Sequence, residues 1–129
     1  MSLNELVEAS KAAMEHAYAP YSGFKVGAAV LGGSDRVYHG CNVENASYGL
    51  SVCAERVAVF KAVCEGERII KAVAISCSGG KTAPPCGACR QVLAEFAPKD
   101  GPLNIYIVSE EGVETHTLDE LLPDAFRLE

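Results

Sequence analysis

Three cysteines have the order and spacing of a catalytic metal site. Cys86 and Cys89 form a C-x-x-C pair, and Cys53 supplies a third sulfur from earlier in the chain. Three protein ligands leave one position of a tetrahedral zinc ion open, as in catalytic sites, whereas structural zinc usually has four ligands. A water in the open position has its pKa lowered to about 7 in favourable cases. The pattern predicts one zinc ion per subunit on these cysteines, although three thiolates also bind other soft or borderline ions.

Glu55 follows Cys53 closely, and this placement predicts a proton shuttle beside the zinc water rather than a fourth ligand. Three thiolates on one dication leave a net negative charge, which opposes the activation of water. The N-termini of two helices predicted to begin near the cysteines would supply partial positive charge. Arg56 and Arg90 each follow a cysteine segment. We hypothesise that Arg56, rather than Arg90, donates to a thiolate.

The order C-x-E followed by P-C-x-x-C is the pattern of zinc-dependent deaminases. Core cysteines or a disulfide would account for the sulfurs but not for Glu55 and Pro85. The other cysteines, Cys41, Cys64 and Cys77, are expected to be small buried side chains. The histidines lack ligand spacing with one another, so the pattern gives a structural zinc module no fourth ligand.

The elements that must position these residues alternate between helices and strands. Helical spacing predicts helices over residues 3–18, 53–65, 86–96 and 117–122. Alternating or continuous apolar runs predict strands over residues 24–30, 36–42, 69–77, 103–108 and 113–117. A loop is predicted between Ser78 and Pro85. Because strands separated by helices imply parallel crossovers, we expect a sheet between helices, with both cysteine segments at its carboxyl edge.

Length and charge limit the possible partners. A chain of 129 residues suits one domain over residues 1–129. The 11 basic and 17 acidic residues give a formal net charge of −6, which disfavours nucleic acids and anionic membranes. The sequence shows neither a secretory signal nor an apolar run of membrane-spanning length, so a cytoplasmic location is expected. In a reducing compartment, closely spaced cysteines more often bind metal or do chemistry than form disulfides.

Beyond the cysteine motifs, the chain resembles the small homotetrameric cytidine deaminases over nearly its whole length. The resemblance covers residues 18–22, 24–29, 40–48, 53–56, 85–91 and 120–126. It implies a three-layer α/β/α sandwich with a mixed five-stranded sheet. It also implies a homotetramer with shared active sites, to which neighbouring subunits contribute Tyr48 and Phe126.

The same resemblance assigns roles to individual residues. Cys53, Cys86 and Cys89 would bind zinc, and Glu55 would be the general acid and base. The substrate would be contacted by Phe24 on the pyrimidine, by Asn42 and Glu44 on the ribose hydroxyls, and by the backbone of Ala54 on the polar edge of the base. Arg56, with Gln91 nearby, would moderate the charge of the thiolates.

The expected activity is the hydrolytic deamination of free cytidine and deoxycytidine to uridine and deoxyuridine, with release of ammonia, in pyrimidine salvage. Glu44 adds a physical argument, because a carboxylate accepts from sugar hydroxyls but repels phosphate. It therefore predicts nucleosides over nucleotides as substrates. The alternatives are deamination of another cytosine-bearing nucleoside such as blasticidin S, and a non-catalytic structural-zinc module. An editing deaminase would need a basic channel for nucleic acid, which the acidic composition disfavours.

Overall fold

A mixed five-stranded sheet forms the middle layer of this computed structural model, which describes residues 2–79 and 82–128. Gly80, in the predicted loop before Pro85, lies outside the described residues. The elements follow one another as α1 (Leu3–Met14), β1 (Val26–Gly32), β2 (Val37–Cys41), a 3₁₀ turn (Tyr48–Leu50), α2 (Ala54–Cys64), β3 (Ile70–Cys77), α3 (Gly87–Phe96), β4 (Asn104–Ser109), β5 (Gly112–Thr117) and α4 (Leu118–Leu121).

The strand order is β2-β1-β3-β4-β5. β1 pairs antiparallel with both β2 and β3, β3 pairs parallel with β4, and β4 pairs antiparallel with β5. Because β2 and β3 are both antiparallel to β1, they run in the same direction. The chain segments that leave them, towards α2 and α3, therefore emerge at the same edge of the sheet.

Helices cover both faces of the sheet, which confirms the predicted α/β sandwich. α1 packs on β1, β2 and β3, with Leu6 and Val7 in a cluster of buried residues that includes Ala29 and Ala74. The larger cluster contains residues of α2, α3 and α4 and the opposite side of the strands. The side of the sheet that faces α1 carries small residues, among them Ala29 and Ala74, and these allow the helix to approach the sheet closely. None of the helices in residues 2–79 and 82–128 has the length and apolar character that a bilayer span requires.

The first helix is shorter than its sequence pattern predicts. The prediction extended it to residue 18, but α1 ends at Met14. Tyr18 instead forms an isolated bridge with Val43: its N–H donates to the Asn42 carbonyl, and its own carbonyl accepts from the Glu44 N–H. This pairing with a distant segment removes Tyr18 from the helix.

Gly40 sets the distance between β2 and α2. A Cβ at this position would lie 2.5 Å from the backbone nitrogen of Ala58 and 2.9 Å from the carbonyl oxygen of Ala54. Real Cβ atoms do not approach backbone so closely, so only glycine lets the first turns of α2 lie directly on β2. The position of Cys53, immediately before α2, depends on this contact.

Candidate active site

Two helix N-termini bring the three predicted sulfur ligands together. Cys53 is the N-cap residue of α2 and Cys86 is the N-cap residue of α3, and both have extended backbone conformations. Cys89 lies in the first turn of α3 and is only 1% exposed. The predicted helix starts are therefore correct to within one residue. The partial positive charge of both helix termini is directed at the sulfurs.

The spacing of the sulfurs suits a zinc ion. The Sγ atom of Cys86 lies 3.9 Å from that of Cys53 and 3.5 Å from that of Cys89. All three lie within 4.8 Å of one another. Thiolates that each bind a tetrahedral zinc ion at about 2.3 Å are about 3.8 Å apart. Among the described residues no fourth ligand joins this cluster, so the donor set leaves a coordination position open.

Glu55 is a buried carboxyl group beside the cluster. It lies in the first turn of α2 and is 5% exposed. Burial raises the pKa of Glu55 to about 7, and the nearby charge of Cys53 adds to the rise. A hydrogen bond with the Cys89 thiol acts in the opposite direction on this pKa. The carboxyl group therefore lies next to the sulfurs, in a position to exchange protons with a group that they hold.

Arg56 and Arg90 have different partners. Nη2 of Arg56 lies 3.5 Å from Sγ of Cys53. The pKa of the Cys53 thiol is lowered, first by a hydrogen bond with Cys89 and then by Arg56. Arg90 donates instead to two carbonyl oxygens, those of Pro85 and Leu121, at 2.8 Å each. Arg90 thus ties the start of α3 to α4, and Arg56 contacts a sulfur.

A cleft of about 580 Å³ opens beside the sulfur cluster. Cys53 lies in its wall together with Asn42, Glu44 and Tyr48. The wall is held by Val43, which forms isolated bridges with Tyr18 on one side and Val52 on the other. The cleft therefore extends from one candidate metal ligand, Cys53, to the segment that carries both predicted sugar-binding residues.

Asn42 and Glu44 both bind the chain segment that leads into β1. Oδ1 of Asn42 accepts from the Val26 N–H, and its Nδ2 donates to the Phe24 carbonyl, both at 2.9 Å. Oε1 of Glu44 accepts from the N–H groups of Tyr21 and Ser22, at 3.0 and 3.1 Å. Oε2 of Glu44 accepts from the Ser22 hydroxyl, and this bond is the main reason that the pKa of Glu44 is lowered.

The remaining predicted site residues lie around this centre. Phe24 is half-buried at the edge of the larger core cluster, and Ala54 is fully buried. Tyr48 is 91% exposed and Phe126 is 67% exposed. Of the described residues, those that line the cleft do not include Phe24 or Phe126. Gln91 donates to the Phe126 carbonyl at 2.9 Å, so its described partner is the C-terminal segment rather than a thiolate.

Sequence reasoning missed two features here. Ser22, which binds Glu44, was assigned no role of its own, because a partner so distant in sequence leaves no local pattern. The expectation that Cys64 is buried is wrong, since Cys64 is exposed near the end of α2, while Cys41 and Cys77 are half-buried. In chemical terms, the site combines three soft ligands, a buried carboxyl group and a cleft with both polar and apolar side chains in its wall, which suits hydrolysis of a small polar molecule.

Comparison with known proteins agrees with this chemistry. Residues 1–103 match the family model described as the cytidine and deoxycytidylate deaminase zinc-binding region. A cytidine deaminase of Sporosarcina psychrophila is 47% identical over 130 residues, which cover 100% of this chain and 94% of that protein. A cytidine deaminase of Halalkalibacterium halodurans is also 47% identical over 130 residues, covering 100% of this chain and 97% of that protein.

Solved structures show the same similarity. The crystal structure of cytidine deaminase from Burkholderia pseudomallei superposes with a TM-score of 0.89 at 47% identity, covering 98% of this chain and 100% of that one. Cytidine deaminase from Mycobacterium tuberculosis superposes with a TM-score of 0.84 at 41% identity, covering 99% of both chains.

Proposed function

The chain belongs to the cytidine and deoxycytidylate deaminase family, and on this premise we propose that it hydrolyses free cytidine and deoxycytidine. Water adds to C4 of the cytosine ring, the bond from C4 to the exocyclic nitrogen breaks, and ammonia leaves. The products are uridine and deoxyuridine. The observation that carries the proposal is the buried carboxyl group of Glu55 beside three clustered sulfurs, next to a cleft whose wall includes Asn42 and Glu44.

Cys53, Cys86 and Cys89 would hold one zinc ion. The fit rests on the three soft donors and on their mutual distances, which are those of neighbouring ligands around one tetrahedral ion. When bound there, zinc supplies a water that is nucleophilic at neutral pH. Arg56 would offset part of the thiolate charge through its contact with Cys53.

Glu55 moves the protons of the reaction. We propose that Glu55 takes the proton that the attacking water loses and delivers it to N3 of the cytosine ring. Glu55 then takes the remaining proton from the hydroxyl group added to C4 and gives it to the amine nitrogen, so that ammonia leaves as the C4 carbonyl forms. Burial suits this carboxyl group to both steps, because a carboxylate removed from water is a stronger base than an exposed one.

Asn42 and Glu44 would bind the sugar. They lie in the cleft wall that also contains Cys53. The backbone bonds of both side chains fix their orientation before a substrate arrives. Because Glu44 is negatively charged, a phosphate on the sugar would be repelled, so nucleosides are favoured over nucleotides.

The base-binding end would be completed by other parts of the molecule. Phe24 would pack on the pyrimidine, and the backbone of Ala54 would bind its polar edge. Tyr48 and Phe126 would close the sites of neighbouring subunits in a homotetramer. Their exposure in the single chain, 91% and 67%, supports this proposal, because large apolar side chains at that exposure gain by being covered. The enzyme would act in the cytoplasm, in pyrimidine salvage.

The two alternatives have less support. A structural-zinc module would need a fourth protein ligand, which the described cluster lacks. A blasticidin-type deaminase would use the same centre, so only substrate comparison separates it from the proposed function.

That comparison is the test. The zinc-loaded protein is incubated separately with cytidine, deoxycytidine and blasticidin S, and loss of substrate and release of ammonia are measured together. We expect one ammonia for each uridine or deoxyuridine formed, and much slower turnover of blasticidin S. Preference for blasticidin S would overturn the assigned substrate. Zinc-dependent binding of cytidine without any ammonia would overturn the assignment as an enzyme.

A further inference from the structure

Ser22 binds the predicted sugar-binding carboxylate through two groups. Its hydroxyl donates to Oε2 of Glu44, and its N–H donates to Oε1 at 3.1 Å. The same hydroxyl accepts from the N–H of Phe24 at 3.0 Å. Gly23, between them, has a φ of +71°, which allows the chain to turn back on the hydroxyl. We call Ser22 and Glu44 the cleft clamp.

The same arrangement recurs in the hairpin between β1 and β2. The Ser34 hydroxyl donates to Oε2 of Glu67, and the Ser34 N–H donates to Oε1 at 3.3 Å. The hydroxyl accepts from the N–H of Arg36, two residues later, at 3.4 Å. Asp35, between them, also has a φ of +71°. We call Ser34 and Glu67 the hairpin clamp.

The two clamps differ at one acceptor position. Oε2 of Glu67 accepts a second hydrogen bond, from the Tyr38 hydroxyl at 2.8 Å. Within residues 2–79 and 82–128, no second donor reaches Oε2 of Glu44. Glu67 is 7% exposed, whereas Glu44 is half-buried and faces the cleft. A carboxylate oxygen has two lone pairs, so Oε2 of Glu44 has room for one further hydroxyl donor.

We propose that Ser22 is a positioning residue, which orients Glu44 so that its open acceptor position receives a sugar hydroxyl. The Tyr38 hydroxyl occupies the equivalent position of the hairpin clamp. This inference rests on the proposed function, and it names a residue that acts through Glu44 rather than on the substrate itself.

Three donors hold the carboxylate before the substrate enters: the N–H groups of Tyr21 and Ser22, and the Ser22 hydroxyl. A group fixed in this way loses little conformational freedom on binding, so more of each new hydrogen bond appears as affinity. Through its bond to the Phe24 N–H, Ser22 also fixes the backbone of the residue proposed to pack on the base. One hydroxyl therefore bonds both to the proposed sugar-binding carboxylate and to the backbone of the residue proposed to pack on the base.

The test compares two substrates in two forms of the holoenzyme. The ratio of kcat/KM for cytidine to that for 2′,3′-dideoxycytidine, which lacks both secondary hydroxyls, is measured in wild type and in Ser22→Ala. We expect the ratio to fall roughly tenfold in Ser22→Ala, mainly through KM for cytidine, because a charge-assisted hydrogen bond becomes poorly aligned. An unchanged ratio, or an equal loss on both substrates, would overturn the inference.

Two further variants keep the test decisive. Ser22→Thr retains the hydroxyl and should keep the wild-type ratio, so loss of discrimination in Ser22→Thr would count against the proposal. Ser34→Ala removes the corresponding hydroxyl from the hairpin clamp and should lower Tm without changing the ratio. If wild type fails to deaminate cytidine, the proposed function fails. If wild type discriminates and Ser22→Ala discriminates equally, the inference alone fails.

Discussion

The cleft clamp and the hairpin clamp use the same local chemistry for different ends. In each, a serine followed by a residue at a φ of +71° binds a carboxylate that lies far away in sequence. In the hairpin clamp, the Tyr38 hydroxyl fills the last position on Oε2 of the carboxylate, and the group is buried. In the cleft clamp that position is open to the cleft. One arrangement secures a loop, and we propose that the other prepares a binding group.

Charge alone does not distinguish the two carboxylates. A serine hydroxyl is the main reason that the pKa is lowered in both Glu44 and Glu67. Both groups are therefore anionic at neutral pH. The difference lies in the unused acceptor of Glu44, and the proposed binding role rests on this acceptor rather than on the direction of a pKa shift.

Loss of the charge on Glu44 should have the largest effect within this comparison. We expect Glu44→Gln to lower kcat/KM for cytidine by roughly 10- to 100-fold and to reduce discrimination against cytidine monophosphate, because a charge-assisted acceptor is lost. The measurement is steady-state kinetics on both substrates, with Glu67→Gln as the matched control. Wild-type kinetics on both substrates in Glu44→Gln would contradict the proposed sugar-binding role of Glu44.

Glu67→Gln should affect stability instead. An amide accepts more weakly than a carboxylate, and its NH₂ group cannot accept from Ser34 or Tyr38. We expect Tm to fall by roughly 5 °C, with kcat/KM for cytidine close to that of wild type. Thermal unfolding followed by circular dichroism measures the change. A kinetic defect without a change in Tm would contradict the expectation that Glu67 contributes to stability rather than to turnover.

Acid should remove the stability that Glu67 contributes. The folded-state pKa of Glu67 lies below its ordinary value of 4.5, so its contribution is fully present above that value. It is lost as pH falls through the lower, folded-state pKa. The difference in Tm between wild type and Glu67→Gln should therefore be constant near neutral pH and shrink below about pH 4.5. A difference that grows on acidification would contradict the sign of this linkage.

Tyr38→Phe should have the smallest effect, because it removes one of the donors to Glu67 and leaves both Ser34 bonds in place. We expect a fall in Tm of roughly 2 to 4 °C and unchanged turnover of cytidine. Differential scanning calorimetry and a kinetic assay on the same preparation would measure both. A stability loss larger than that of Glu67→Gln would show that the Tyr38 hydroxyl makes stabilising contacts other than its bond to Glu67.

Local sequence patterns predicted most of the fold. The strands predicted from the apolar runs of β3 and β4 and the short helix predicted after residue 117 are confirmed, because their signals lie within a few consecutive residues. The end of α1 was predicted wrongly, since its determinant is the pairing of Tyr18 with the segment around Val43. The spacing of apolar residues within residues 3–18 contains no information about Val43, which lies far away in sequence.

The candidate site divides in the same way. The three cysteines and Glu55 lie in two short motifs, so their types and order predict the chemistry directly. The two clamps join residues that are 22 and 33 positions apart. The serine turns leave a local signal, but only the folded chain shows which carboxylates they bind.

The most direct test of the catalytic centre compares two buried glutamates. Zinc content and ammonia release from cytidine are measured in wild type, Glu55→Gln and Glu67→Gln. We expect all three proteins to hold one zinc ion per chain, Glu67→Gln to turn over like wild type, and Glu55→Gln to lose roughly 100- to 10,000-fold in kcat. Near-normal turnover in zinc-loaded Glu55→Gln would contradict the assignment of Glu55 as the proton carrier.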